Sequence, residues 1–550
     1  MENLKDHSRS RFAFLLSDNT FISFSLLAFV IFGSVLLFNH EMWRDEMRAW
    51  FHAKDAISLA SLYHSSSYDG HPYLWYIILY IITRFTTQPV AMQVCHLIVA
   101  AGAVYVFLKY SPFTRIQKLL FILSYYPLYE YGIISRNYAL GILLIFAFCA
   151  LFRASRDKNF LLLSCILFLL AQTNFFALII CACLGGMVFF ECLYDRELRG
   201  NLAQKKAEIG AAITLFVLGM VLFILECAPP QDYRQVRLST YEWYANIDLR
   251  YLGDVITAIW KSYVPIPALQ YDFWGTNIVS SEAVQLVFSI FLLGFFLLVF
   301  SRKHVALCLY VCGTLAILSI VYVKFLYVGT VRHYGHLFII LIASLWISTY
   351  YPDRRATGTV LNSLSSFCSK HKDKAITGIF IAQLIAGIIA GGFDLFYPFS
   401  GSKETADYIK SHGMENMPLM GNSRIATYAV AGYLNREIYY PPIILRVSSA
   451  YSNKTIIRDL QELKNRRAAD FGVELFGNDQ DKLLQNAKEL MQQRKEDVLL
   501  ILNFDLHIFN KNLSEYPLLK ITESRDDIVG GEKYFLYVMQ YKKQDTTDGS

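Results

Sequence analysis

Charged side chains are scarce in this 550-residue chain: Asp, Glu, Lys and Arg make up only 17% of it, whereas 55% of its residues are hydrophobic and 15% are aromatic. Such a composition excludes an ordinary soluble enzyme. The apolar residues occur in blocks of about 15–20, which is the length needed to cross ~30 Å of hydrocarbon. The sequence therefore predicts a polytopic α-helical membrane protein.

The sequence signatures of several common enzyme classes are also missing. The ten cysteines show neither zinc-ligand nor redox spacing, and none of them follows residue 368. The region after residue 395 has no glycine-rich nucleotide-binding fingerprint and no catalytic-triad spacing. We therefore predict no zinc, thiol-redox or dinucleotide chemistry, and we do not expect nucleic acid as a partner.

Eleven apolar runs account for the hydrophobic composition, and we predict that each forms a transmembrane helix. The runs are 21–39, 90–108, 119–131, 138–152, 160–171, 175–193, 208–227, 283–300, 305–325, 335–350 and 375–393. The first run lacks a small-residue cleavage site, so we expect it to remain as a membrane anchor.

The distribution of positive charge predicts the orientation of the chain. Lys and Arg gather in every second connection between the runs, and the positive-inside rule makes those connections cytoplasmic. We therefore expect a cytoplasmic N-terminus. The segments expected to face outward are 40–89, 132–137, 172–174, 228–282, 326–334 and everything after 393.

One further apolar stretch, HPYLWYIILYIITRF at 71–85, is too short to be counted as a span. Counting it would place the lysines and arginines that follow on the outside and invert the charge pattern. We predict instead a helix that lies in the outer membrane interface within the first outer loop, 40–89, with Tyr73, Trp75, Tyr76 and Tyr80 at headgroup depth.

The composition changes after the last apolar run. Residues 1–395 are predicted to form the transmembrane domain and residues 396–550 a soluble, outward-facing α/β domain. Its predicted strands are MPLMG, DVLLILNF, PLLKITES and EKYFLYVMQY, and its predicted helices are SKETADYIKSHG, DLQELKNRRAADF and QDKLLQNAKELMQQRKE. The lack of cysteine in an outward domain favours a bacterial inner membrane as the location.

Polar residues gather at the predicted outer ends of the spans. The first outer loop supplies Asp45, Glu46 and His71, and the second supplies Arg136 and Tyr138. The loop before the tenth run supplies the third group, which consists of Arg332 and His333. Carboxylates on one loop and cationic groups on two others predict a site that abstracts a proton and binds an anion.

Four stretches of the chain together resemble the GT-C superfamily of membrane glycosyltransferases, which includes protein O-mannosyltransferases and the aminoarabinose transferase of lipid A. The stretches are WRDEMRAW, DGHPYLWY, EYGIISRNYALGILL and VRHYGHLFIILI. The resemblance covers roughly residues 15 to 395. It implies a GT-C-like membrane domain with an outward C-terminal domain.

The resemblance also implies roles for individual residues. Asp45 matches the acidic residue of the first loop that acts as catalytic base, with Glu46 beside it. His71 matches a donor-phosphate segment, although this chain has HPY where many relatives have two prolines. The RxYxL element is matched by Arg136 and Tyr138, and the late phosphate-binding arginine by Arg332, with His333 next to it.

The expected reaction is transfer of a sugar from a polyprenyl-phosphate donor to a hydroxyl of a lipid, glycan or protein acceptor at the outer membrane face. The leaving phosphate gains negative charge, which arginines at a low-dielectric boundary would stabilise. Partial burial is expected to raise the pKa of Asp45 above its usual ~3.9 and make it a better base. No cofactor is expected, since the second loop has no DxD pair.

Other interpretations stay open at this point. Interfacial charges also mark transport pathways, so a lipid-linked sugar flippase or transporter is an alternative. The loop 228–282, with Arg234, Arg237 and Arg250, is compatible with an O-antigen ligase or polymerase. Four histidines share the first outer loop with Asp45 and Glu46, which permits a divalent cation. The arginines could also be plain interface anchors, and Asp45 could simply pair with Arg48.

Overall fold

The computed structural model describes most of the chain. The described residues are 17–67, 69–152, 159–195, 198–199, 205–228, 252–324, 331–353, 359–422, 424–436, 438–439, 479–506 and 516–541. Three predicted features lie outside them: the first 16 residues, the arginine-bearing part of the loop 228–282, and the predicted helix DLQELKNRRAADF.

The described residues before 397 are almost entirely helical. In chain order the helices are α1 Asp18–Asn39, α2 Arg44–Asp55, α3 Leu59–Ser66, α4 Leu74–Thr83, α5 Val90–Tyr110, α6 Arg115–Ile122, α7 Tyr138–Leu151, α8 Phe160–Ala171, α9 Phe175–Tyr194, α10 Lys206–Cys227, α11 Leu252–Tyr263, α12 Glu282–Phe300, α13 His304–Lys324, α14 Val331–Ser348 and α15 Thr359–Phe396. A π-helical turn, Tyr125–Glu130, follows α6.

Eight of the described helices are long and apolar enough to cross a membrane: α1, α5, α9, α10, α12, α13, α14 and α15. The remaining three predicted runs coincide with shorter helical segments. These are α7, α8, and α6 together with the π-helical turn. The prediction of a polytopic helical membrane protein is confirmed, and eight of the eleven predicted spans are long and apolar enough to cross a membrane.

Helix α11 was not predicted, because it falls in the segment 228–282 that the charge pattern assigned to an outer loop. It packs against α12 and α14 within the bundle. Ser262 Oγ accepts a hydrogen bond from the backbone N–H of Phe338, and Gln383 Nε2 donates to the carbonyl of Ser262 at 2.8 Å. The described part of this segment is therefore an integral part of the bundle rather than a free loop.

The C-terminal region contains a small four-stranded sheet with the order β1-β2-β4-β3. The strands are β1 Leu419–Gly421, β2 Val498–Leu502, β3 Leu518–Glu523 and β4 Phe535–Met539. The first pair is parallel, and the other two pairs are antiparallel. The described helices of this region are α16 Ser402–Ser411, α17 Arg424–Leu434 and α18 Asp479–Arg494. All four predicted strands are present.

The segment 40–89 and the C-terminal region share one hydrophobic core. Trp50 of α2 and Trp75 of α4 belong to the same buried cluster as Ile409 of α16 and Val430 of α17. Trp75 and Tyr76 are each only 2% exposed. The stretch 71–85 does form a helix, α4, but these two aromatic side chains pack inside the protein rather than facing headgroups, because the C-terminal region covers the segment.

Candidate active site

The segment between α1 and α2 places Asp45 at the junction of the bundle and the C-terminal region. Helix α1 ends at Asn39, and α2 begins at Arg44 after an extended residue, Trp43. Glu46 Oε2 accepts the backbone N–H of Trp43 at 3.1 Å, which caps the first turn of α2. Asp45 therefore lies in a fixed first turn.

Two arginines from distant parts of the chain converge on Asp45. Its Oδ2 lies 3.8 Å from Arg136 Nη1 and 3.4 Å from Arg332 Nη2. Arg136 Nη1 also donates to the backbone carbonyl of Asp45 at 2.6 Å. The arginine side chains are 11% and 13% exposed, whereas that of Asp45 is 29% exposed. A small molecule can therefore reach the carboxylate, and the cations around it are largely shielded from water.

Arg332 contacts two tryptophan rings, which are themselves packed edge to face against each other. Its guanidinium carbon lies 5.0 Å from the ring centroid of Trp43 and 5.2 Å from that of Trp274. Trp274 Nε1 in turn donates to Glu130 Oε2 at 3.0 Å, and Tyr125 OH donates to the same oxygen at 2.7 Å. Cation–π contact fixes the guanidinium plane while leaving its charge unneutralised by the rings.

The pKa of Asp45 is shifted in the direction opposite to the one predicted from the sequence. Burial acts to raise the pKa of this carboxyl, but Arg136, Arg332, Arg44 and Arg48 outweigh that effect and hold the pKa below its usual value. The prediction of a raised pKa was wrong, because no local pattern reports how many arginines surround a group in the folded protein.

Glu46 lies next to Asp45 in sequence but in a different environment. Its side chain is fully buried, and its Oε1 accepts the backbone N–H of Ser135 at 2.6 Å. Its Oε2 accepts the N–H of Trp43 and faces His40 Nε2 at 3.4 Å. Both carboxylate oxygens are therefore engaged within the protein, and Glu46 links α2 to the loop that carries Arg136.

His71 contacts the site through Arg136. Its Nε2 lies 3.4 Å from Arg136 Nη2. Burial and the neighbouring Arg136 lower the pKa of His71 to about 3, so the imidazole is neutral at physiological pH. Asp69 lies nearby, accepts a hydrogen bond from Tyr76 OH at 2.6 Å, and pairs with Arg48. His71 can accept a hydrogen bond but adds no positive charge.

Tyr138 and His333 form an aromatic group beside the arginines. Their ring centroids are 6.4 Å apart, and His333 stacks on Phe176 of α9 at 5.0 Å. His336, one turn further along α14, also stacks on Phe176, with the ring centroids 4.9 Å apart. The structure thus brings together all seven residues predicted for the site, with Arg136 and Arg332 each in contact with Asp45 and the others around them.

Sequence reasoning missed three residues that shape the site: Trp43, Trp274 and Glu130 as an anchor for Trp274. Trp274 lies in the segment YDFWG, which follows α11. The only available signal was the high share of aromatic residues in this segment, because no local pattern indicates that it returns to the bundle beside Arg332.

The described residues thus define a polytopic helical membrane protein with a half-buried carboxylate between two arginines where the bundle meets a small mixed sheet. An ionised carboxylate can accept a proton, and two guanidinium groups can bind a phosphate-like anion. The tryptophans and Glu130 keep one of these guanidiniums in a fixed orientation.

Comparisons with known proteins give structural neighbours and nothing at the sequence level. No protein-family model matches the chain, and no curated protein matches it. Among solved structures, the chain is similar to ArnT from Cupriavidus metallidurans in the apo state and bound to undecaprenyl phosphate. Each match has a TM-score of 0.46 and 10% sequence identity, and each covers 98% of the ArnT chain. The match to the apo structure covers 96% of this chain, and the match to the bound structure covers 95%.

Proposed function

We propose that this protein is a glycosyltransferase that moves a sugar from a polyprenyl-phosphate donor to an acceptor hydroxyl, with Asp45 as the general base. The proposal places the site at the outer membrane face, the N-terminus in the cytoplasm and the sheet region outside. The observation that carries it is the contact of one partly exposed carboxylate with two arginines, one from the loop before α7 and one from the first turn of α14.

The proposed step needs one proton acceptor and one anion site. The acceptor oxygen attacks the anomeric carbon, the bond from that carbon to the phosphate oxygen breaks, and the phosphate leaves with the electron pair. Asp45 takes the hydroxyl proton. Arg136 and Arg332 bind the departing phosphate, whose gain of charge is best stabilised in a site shielded from water. Attack from the face opposite the phosphate inverts the anomeric centre.

The low pKa of Asp45 fits this scheme if the arginines change partners. In the free protein Arg136 and Arg332 contact Asp45 and keep it ionised. A bound phosphate attracts the same two guanidinium groups, which would weaken their contact with the carboxylate and raise its pKa. Donor binding would thus convert a well-neutralised carboxylate into a competent base.

The remaining predicted residues take supporting roles in the proposal. Glu46 is placed as a positioning group rather than a proton acceptor, because its oxygens are engaged with the backbone N–H groups of Ser135 and Trp43. Neutral His71 helps to orient Arg136. Tyr138 and His333 are assigned to the edge of the phosphate site, because His333 follows Arg332 in the sequence and its ring lies 6.4 Å from that of Tyr138.

The proposal is tested with purified protein in liposomes that contain a set of polyprenyl-phosphate sugars and candidate lipid acceptors. Mass spectrometry should detect a glycosylated acceptor with the wild type and none with Asp45→Asn. Asp407→Asn is the matched control, because Asp407 is an exposed carboxylate on α16. Movement of labelled donor across the bilayer without any product, in the wild type and Asp45→Asn alike, would instead indicate a lipid-linked sugar flippase.

A further inference from the structure

A buried row of two carboxylates and one imidazole adjoins Asp45 through Glu46. None of its members exchanges a proton with the substrate in the proposed reaction. His40 Nδ1 lies 2.9 Å from Asp394 Oδ2, and His40 Nε2 lies 3.4 Å from Glu46 Oε2. The three side chains are at most 1% exposed. Because the carboxylates contact opposite nitrogens of the ring, they do not converge on one point as the ligands of a single metal ion would.

The row joins three separate helices. His40 directly follows α1, Glu46 lies in the first turn of α2, and Asp394 lies in the last turn of α15. Gln93 Nε2 of α5 also donates to the backbone carbonyl of His40 at 3.2 Å. Removing two carboxylates from water costs several kcal/mol per ion unless each is paired and hydrogen-bonded. A doubly protonated imidazole can donate to both at once.

Glu46 is the member of the row that reaches the proposed active site. One of its oxygens holds the N–H of Ser135, the residue before Arg136, and the other holds the N–H of Trp43. The orientation of this one carboxylate therefore sets how the loop that carries Arg136 meets the turn that carries Asp45. His40 is the only cation in the row.

We propose that His40 is a positioning residue: as an imidazolium between Asp394 and Glu46, it fixes Glu46 and through it the spacing of Asp45 and Arg136. The effect on sugar transfer rests on the proposed function. The effect on the stability of the row does not, so the two can be tested separately.

The charge state of His40 follows from its neighbours. Burial acts to lower the pKa of His40, but the carboxylates of Asp394 and Glu46 raise it well above 6.5. The other titratable groups that face the row are Glu41, His96, Tyr129, Glu130 and Tyr433. A histidine whose pKa is raised on folding stabilises the protein below its unfolded pKa, and this stabilisation is lost as pH rises through the folded pKa.

The test compares the wild type with His40→Gln between pH 6 and pH 10. Glutamine can donate a hydrogen bond but carries no charge. We expect His40→Gln to lower kcat by ~10–10²-fold near pH 7, since small misplacements of reacting groups have effects of this size. In the wild type, kcat and the thermal midpoint should both fall with rising pH more steeply than in the variant. His412→Gln, an exposed histidine after α16, is the control and should match the wild type.

Glu532, whose pKa is about 8, titrates in the same range, but it does so in both proteins, so the difference between the profiles reports His40. If His40→Gln does not fold, the pair His40→Gln with Asp394→Asn removes the surplus buried charge and allows the same comparison. Identical pH profiles and a full rate in either variant would overturn the proposal. If the wild type transfers no sugar, the proposed function fails, and the thermal profiles alone still decide whether His40 is charged.

Discussion

Asp45 Oδ2 and Arg332 Nη2 lie 3.4 Å apart although 287 positions separate the two residues. The contact joins the first turn of α2 to the beginning of α14. It places a proton acceptor and an anion-binding group in direct contact.

Replacing Arg332 with lysine should weaken donor binding, although the charge is retained. Lysine presents a point charge, which cannot lie flat against the rings of Trp43 and Trp274 or donate in two directions. Hydrogen bonds to charged groups contribute ~1.5–3 kcal/mol, so we expect kcat/KM to fall by about 10- to 150-fold. Steady-state kinetics with a polyprenyl-phosphate sugar measures this. Arg302→Lys is the control, because Arg302 lies in the turn between α12 and α13 and pairs with Asp353, and it should behave as the wild type. An Arg332→Lys variant with a normal kcat/KM would contradict the assigned role.

The pH dependence of the two rate constants should differ. In the free protein the arginines hold the pKa of Asp45 below 3.8, so Asp45 should cause no acid loss of kcat/KM above about pH 5. Once the donor phosphate engages the arginines, the pKa of Asp45 rises and an acid limb should appear in kcat at higher pH. Rate profiles at saturating and limiting donor concentration separate the two. Coincident acid limbs would show that the arginines do not change partners.

Trp274→Phe should reduce activity by loosening Arg332. The phenyl ring keeps part of the cation–π contact but loses the hydrogen bond that the indole N–H gives to Glu130. We expect kcat/KM to fall by about tenfold, because the bond is to a carboxylate. Trp346→Phe is a matched control, since its indole N–H donates to the hydroxyl of Tyr350 at the end of α14 opposite to Arg332. Equal kinetics in the two variants would show that the orientation of Arg332 does not depend on Trp274.

Glu532→Gln should change the pH dependence of stability. Glu532 Oε1 accepts the backbone N–H of Arg44 at 3.1 Å, and Ser400 donates to Oε2 at 2.6 Å. Burial raises the pKa of Glu532 to about 8, with Ser400 and Arg44 opposing the shift. The folded protein therefore holds this proton more tightly than the unfolded chain does. Stability should fall as pH rises from about 4.5 to about 8 and then level off.

The variant lacks this titration, so its thermal midpoint should fall less over that interval and match or exceed that of the wild type at pH 9. Glu523→Gln, a 41% exposed carboxylate on β3, serves as the control. A parallel fall in Glu532→Gln and the wild type would mean that Glu532 is already ionised at low pH in the folded protein.

Much of the architecture could be predicted from local patterns. Apolar runs marked every helix of the bundle except α11, and short apolar stretches marked the four strands. Helix α11 was not predicted because Asp254 and Lys261 interrupt its apolar residues. Its burial depends on contacts with α12 and α14, which no local pattern reports.

The site shows the same division. The sequence by itself determined which residue types gather at one end of the bundle, because motifs and span ends fix Asp45, Arg136 and Arg332 near a common depth. Only the tertiary structure decided that Glu46 is buried and bound to backbone N–H groups. It also decided that the arginines lower the pKa of Asp45 rather than letting burial raise it. Electrostatic energies depend on distances between groups far apart in the chain, and folding alone sets those distances.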